Sequence, residues 1–183
     1  VIGFGAGEPD FPTPAHIVEA AKEALDLGMT RYTPASGTFE LRKAICDKLE
    51  RDNDLYYKPQ DIVVSSGAKH SLYNIFQAIL DPGDEVLLPT PCWVSYPEMV
   101  RMAGGVPVFI PADESTDFIP TKRDIASRVT RRTKAMIITS PSNPNGSIWP
   151  KEMLEFVADL AVSHPFYVVS DEIYEKLIYD GQK

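Results

Sequence analysis

Residues 61–90 read DIVVSSGAKHSLYNIFQAILDPGDEVLLPT, and the spacing of their apolar positions changes twice. Ile62-Val63-Val64 is a short continuous apolar run, the pattern of a strand buried on both faces. Small residues follow at Ser65-Ser66-Gly67-Ala68, and then Leu72, Ile75, Phe76 and Ile79 recur at helical spacing. Asp81-Pro82-Gly83-Asp84 has the composition of a turn, after which Val86-Leu87-Leu88 opens the next apolar run. A strand, a helix and a second strand in such close succession form the repeating unit of a parallel sheet.

The alternation continues in both directions. Downstream, Ser95 with Glu98 three residues on reads as a capping box, and Val106 to Ile110 is the next strand. Thr121 and Asp124 repeat the helix-start signal, Ala135 to Thr139 is a strand, and Pro150 opens a helix carrying Met153, Leu154, Val157, Leu160 and Ala161. Phe166 to Ser170 is the last clear strand. Upstream, the apolar, glycine-rich segment Val1 to Asp10 reads as a short buried strand. Thr13 and Pro14 then serve as N-cap and first residue of a helix with Ile17, Ala20, Ala21, Ala24 and Leu25 on one face and Gly28 as its stop. A further helix has Leu41, Ile45 and Leu49 as its stripe, leaving Arg42, Lys43, Asp47 and Lys48 to solvent. The expected fold class is α/β, a mostly parallel sheet with helices on both faces.

Composition narrows the function. The chain has 183 residues, 44% apolar and 24% charged, which is enough for one main folded domain and unlike a disordered or fibrous protein. With a net charge of −8 and basic residues scattered singly apart from Arg131-Arg132, nucleic acid is not an expected partner. No apolar run approaches the roughly 18–20 residues of a membrane span, so no membrane partner is expected. Cys46 and Cys92 have no disulfide or zinc spacing, and His16, His70 and His164 form no metal pattern. These features fit a soluble protein of the reducing cytoplasm. Val1, which is not an initiator methionine, and the turn at Tyr179-Asp180-Gly181 read as the ends of a piece of something longer.

Ligands of parallel sheets gather where the strands end. Here those ends carry Ser66-Gly67-Ala68-Lys69, Pro91-Cys92-Trp93, Ser140-Pro141-Ser142-Asn143-Pro144 and Asp171-Glu172-Ile173-Tyr174. The first can expose backbone N–H groups and a helix dipole to an anion, or simply start a helix with small residues. Taken alone, Trp93 is better explained by the core than by a flat ligand, and Asn143 equally well by a turn. Asp171 stands out, because a carboxylate at a buried strand end is costly without a cationic or hydrogen-bonding partner. Together the set suits a flat, phosphorylated, cationic ring. The run Gly3-Phe4-Gly5-Ala6-Gly7 lacks the third glycine of a dinucleotide site, since Glu8 follows.

These residues resemble a known family, the class I (fold type I) aminotransferases, and within it the bacterial aspartate aminotransferases related to prephenate aminotransferases. The resemblance runs through Gly7-Glu8-Pro9-Asp10-Phe11, Tyr32-Thr33-Pro34, Pro82-Gly83-Asp84-Glu85-Val86, Trp93-Val94-Ser95-Tyr96-Pro97, Ser140 to Gly146 and Ser170 to Tyr174. It implies pyridoxal 5'-phosphate as cofactor, amino-acid and 2-oxo-acid substrates, and a homodimer. Gly67, Ala68 and Lys69 would face the cofactor phosphate, with Tyr32 reaching the phosphate of the neighbouring subunit. Trp93 would stack on the ring, Asn143 and Tyr174 would hydrogen-bond its phenolic oxygen, and Asp171 would pair with its nitrogen. Gly7, Lys69, Trp93 and Asn143 would line the substrate, Lys69 favouring a dicarboxylate.

The resemblance further implies that residues 1–40 lead into a large domain, of which 41–183 are an incomplete part. The lysine that forms the Schiff base would then lie beyond Lys183, leaving no catalytic residue of that kind in this chain, while the strands after Lys183 would sit between Ile62–Val64 and Ala135–Thr139. One departure is Asn143-Pro144-Asn145-Gly146, where the family often has threonine at the third place. Other readings of the same resemblance are an aromatic or kynurenine aminotransferase, a lyase, or a cofactor-sensing regulator domain.

Overall fold

The computed structural model describes residues 11–181, which form two compact units meeting in sequence at Val64/Ser65. Gly7 and the strand expected within Val1 to Asp10 lie outside the described residues.

The first unit holds helices α1 (Ala15–Asp26) and α2 (Phe39–Asn53) and a 3-10 turn at Pro59–Asp61. Helix α1 starts one residue later than expected: Pro14, with ψ 139°, is its N-cap, and the Thr13 side chain caps nothing. Gly28 ends it as anticipated, at φ +70°. None of the α1 residues is buried, so its apolar stripe lies open. In α2 the buried residue is Cys46, while Leu41 is exposed.

Two readings in this unit are corrected. Arg42 is not a solvent-facing residue: its side chain is half-buried and donates to the carbonyls of Gly37 (3.1 Å) and Pro59 (2.9 Å). Ile62–Val64 is not a strand either, because no second strand of this unit pairs with it among the described residues; instead Val64 N–H donates to Ser36 O (3.0 Å). Gly37 is required there, since a Cβ at its φ of +97° would meet Val64 Cγ2 at 2.6 Å.

The second unit is the expected α/β layer structure. Strands β1 (Glu85–Thr90), β2 (Val106–Pro111), β3 (Thr133–Thr139) and β4 (Tyr167–Asp171) form one parallel sheet in the order β2-β1-β3-β4. Helix α3 (Gly67–Ile79) precedes β1, and the connections between the strands contain α4 (Ser95–Met102), α5 (Lys122–Arg128) and α6 (Lys151–Ser163). Successive strand residues point to opposite faces, and the sequence fills both. Val86, Leu88, Ala135 and Ile137 join Leu72 and Phe76 of α3 and Met99 and Val100 of α4 in one core. Leu87, Met136 and Ile138 join Ile125 of α5 and Met153 and Val157 of α6 in the other. Each Val, Leu, Ile, Met or Phe side chain among these contributes about 1.5–3 kcal/mol on leaving water.

Capping follows the sequence at α5, where Thr121 and Asp124 form the full box. It fails at α4. Val94, already helical at φ −58° and ψ −22°, occupies the N-cap position with no side-chain cap, and Glu98 pairs with Arg101. Both edges of β3 are paired, by β1 on one side and β4 on the other. The open edges among the described residues belong to β2 and β4.

Candidate active site

Helix α3 begins at Gly67, held at φ +80°, with open space where a Cβ would project. No side chain caps this helix and its first turn has no acidic residue; His70 Nδ1 instead accepts the Ser66 N–H (3.1 Å). The amides of Ala68 and Lys69 therefore lie at an uncapped, electropositive helix end, the arrangement that receives phosphate groups.

From that turn Lys69 reaches across to Trp93. Its ammonium lies 4.8 Å from the centre of the indole. Trp93, half-buried in the loop after β1, packs against the core and meets the Tyr96 ring edge-on, with centroids 5.4 Å apart and planes at 84°. The core reading of Trp93 thus holds on one side of the ring, while another side meets the Lys69 ammonium.

At the end of β4, Asp171 is half-buried, and among the described residues β4 pairs with β3 alone. Its Oδ2 accepts the Tyr96 hydroxyl at 2.7 Å, and its Oδ1 accepts the Ile173 N–H at 3.3 Å. The same phenol lies 2.7 Å from Thr139 Oγ1, on the residue that faces Asp171 in the β3–β4 register. Burial is the main force pushing the Tyr96 phenol well above its ordinary range; the Thr139 hydrogen bond opposes this, and the hydrogen bond and charge of Asp171 reinforce it. Tyr96 is a protonated donor at any physiological pH.

The structure thus connects Lys69, Trp93 and Asp171 through Tyr96, at the C-terminal ends of β1, β3 and β4. Asn143, half-buried, occupies the loop after β3, which is closed by Gly146 N–H to Ser142 O (2.8 Å) and Ser142 N–H to Ser147 O (2.9 Å). Tyr174 is half-buried in the turn after β4. Tyr32 belongs to the first unit, where it is fully exposed. Tyr96 and Thr139 were not singled out from sequence. The signal that could have found Tyr96 is a tyrosine inside the apolar stripe of a helix, whose hydroxyl must find a partner when buried. Among the described residues no three His, Cys, Asp or Glu side chains gather as metal ligands, and no helix is long and apolar enough to cross a membrane.

The chain is an α/β protein whose parallel sheet carries, at its strand ends, an uncapped helix end, an indole beside a lysine and a hydrogen-bonded carboxylate. The chain belongs to the family Aminotransferase class I and II, which it matches over residues 1–183. It is 51% identical over 182 residues to the aspartate/prephenate aminotransferase of Thermus thermophilus, covering 100% of this chain and 47% of that protein. A structure of the Thermus thermophilus aspartate aminotransferase with maleate superposes with a TM-score of 0.94 at 52% identity, covering 97% of this chain and 46% of the other. The aromatic aminotransferase from Pyrococcus horikoshii gives a TM-score of 0.95 at 46% identity, covering 98% and 48%. The chain spans about half the length of the curated relatives it matches. Membership of this family implies pyridoxal 5'-phosphate as cofactor.

Proposed function

We propose that the protein carrying this chain is a pyridoxal-phosphate-dependent aminotransferase that moves an amino group between aspartate, or another dicarboxylic amino acid, and a 2-oxo acid. The residues present fit the cofactor. The uncapped first turn of α3, at Gly67, Ala68 and Lys69, would take the phosphate. Trp93 would lie against the ring, Asn143 and Tyr174 would serve its phenolic oxygen, and Tyr32 would complete the phosphate site across a homodimer. Gly7 would line the substrate. When bound, the cofactor supplies an electron sink for the carbanion formed at the substrate α-carbon.

The observation that carries the proposal is Asp171, fixed through both carboxylate oxygens at the mouth of the sheet. Each oxygen keeps a further lone-pair direction, so the carboxylate can accept a ring N–H and hold that proton in place. Lys69 supports the dicarboxylate reading: its ammonium stands beside the indole, and a distal carboxylate there would gain a charge-assisted hydrogen bond. The relative crystallised with maleate, itself a dicarboxylate, agrees with this choice. A second reading, an aromatic aminotransferase, has the Pyrococcus horikoshii relative in its favour. A cytoplasmic location belongs to the same proposal.

The test is to assay the full-length protein, loaded with pyridoxal phosphate, for transamination of 2-oxoglutarate with aspartate, glutamate and phenylalanine. A kcat/KM for aspartate at least about tenfold above that for phenylalanine is expected from one such hydrogen bond. A preference for phenylalanine moves the assignment to the aromatic reading, and no transamination with any donor removes it.

A further inference from the structure

We infer that Tyr96 is a positioning residue for Asp171: its buried hydroxyl, backed by Thr139, fixes the direction in which the carboxylate faces the cofactor ring. This inference rests on the functional reading above. Tyr96 is 2% exposed and packed within the core shared by α3, α4, β1 and β3, so its ring has no freedom to swing away. Its single proton goes to Asp171 Oδ2, which leaves Thr139 as the donor to the phenol oxygen and makes a one-way chain from Thr139 through Tyr96 to Asp171. Such a chain polarises along its length and strengthens the final bond.

Asp171 ends β4, where the β3–β4 ladder and the Tyr96 hydroxyl are two separate anchors for its position. Tyr96 links that strand end to the rigid interior. Burial keeps the phenol protonated, so the donor is always present.

The test uses the full-length protein stripped of cofactor and titrated with pyridoxal phosphate by equilibrium dialysis. Removing one hydrogen bond to a charged group should weaken cofactor binding about tenfold in Tyr96→Phe. Because the effect runs through Asp171, the same substitution added to Asp171→Asn should change affinity by less than about twofold. A cofactor analogue with carbon in place of the ring nitrogen should bind Tyr96→Phe and the wild type alike, which a general packing defect would not produce. Thermal melting of the cofactor-free proteins reports folding. Should Tyr96→Phe not fold, Thr139→Val carries the same comparison with a smaller loss, about threefold, again absent beside Asp171→Asn. An unchanged affinity overturns the inference, as does an equal loss in both backgrounds or with both cofactors. If the wild type does not bind pyridoxal phosphate, the functional reading falls and this inference with it. Tight wild-type binding combined with any of the overturning results removes this inference alone.

Discussion

Strands β3 and β4 are neighbours in register, yet their surroundings are opposite. Along β3, Ala135, Met136, Ile137 and Ile138 are no more than 4% exposed, with helices on both faces and strands on both sides. Along β4, Tyr167 is 58% and Val168 41% exposed, and one edge is open among the described residues. The polar groups at the two strand ends differ accordingly: Thr139 supports from the interior, and Asp171 presents the charge. Among the described residues the interior strand and the charged strand end are thus joined at Tyr96.

The largest expected effect is at the end of β4. In the full-length protein Asp171→Asn should lower kcat on the order of a thousandfold, the scale seen when a charge-stabilising group is removed from a site. Its melting temperature should move by only about 2 °C, because the asparagine carbonyl can still accept the Tyr96 proton. Turnover close to wild type would show that the β4 end carries no chemistry.

Next in size is a core truncation. Leu88→Ala, at a fully buried position on β1, should cost about 2–5 kcal/mol in urea unfolding, against less than about 1 kcal/mol for Val168→Ala on β4. Equal costs would mean that another part of the full-length protein covers β4, and the contrast between the strands would close.

Lys69→Ala comes third. Loss of a charge-assisted hydrogen bond of about 1.5–3 kcal/mol should reduce kcat/KM for aspartate and glutamate roughly ten- to a hundredfold while sparing phenylalanine. Equal losses on all substrates would leave Lys69 as a general electrostatic helper beside Trp93.

The sheet was legible in the sequence because both faces of β1 and β3 are apolar, and short runs of that kind between amphipathic helices arise when a parallel sheet is covered on both sides. The same rule misled at Ile62–Val64, since an apolar run states that burial is wanted and not that a pairing strand is at hand. Asp171 is half-buried where its strand had read as buried, and Val168 before it is 41% exposed among the described residues. Turn chemistry gave a correct box at Thr121 and a false one at Ser95, where the preceding Val94 had already entered the helix. Trp93 and Asp171 stood out in the sequence by their positions after strands, and the structure links both to Tyr96. Tyr96 was hidden because its ring obeys the apolar stripe of α4, and only coordinates reveal that its hydroxyl leaves the core to meet another strand.

The smallest effect tests that link through pH. Burial raises the Tyr96 phenol above the ordinary value of 10.0, so in the folded state the proton is kept where the unfolded chain releases it. Below pH 10 both states are protonated and the contribution to stability is fully present. Above it the unfolded state binds fewer protons than the folded one, and stability must fall as pH rises. Between pH 10 and 11 this amounts to about 1 kcal/mol for a single tyrosine that stays protonated. The informative quantity is the difference between the wild type and Tyr96→Phe in urea unfolding at pH 9, 10 and 11, in which contributions common to both proteins cancel. The variant should lose about 1 kcal/mol less than the wild type across the last unit. Parallel curves would mean that the phenol titrates as freely in the folded protein as in the unfolded one, and the tie between the buried core and the β4 carboxylate would have to be abandoned.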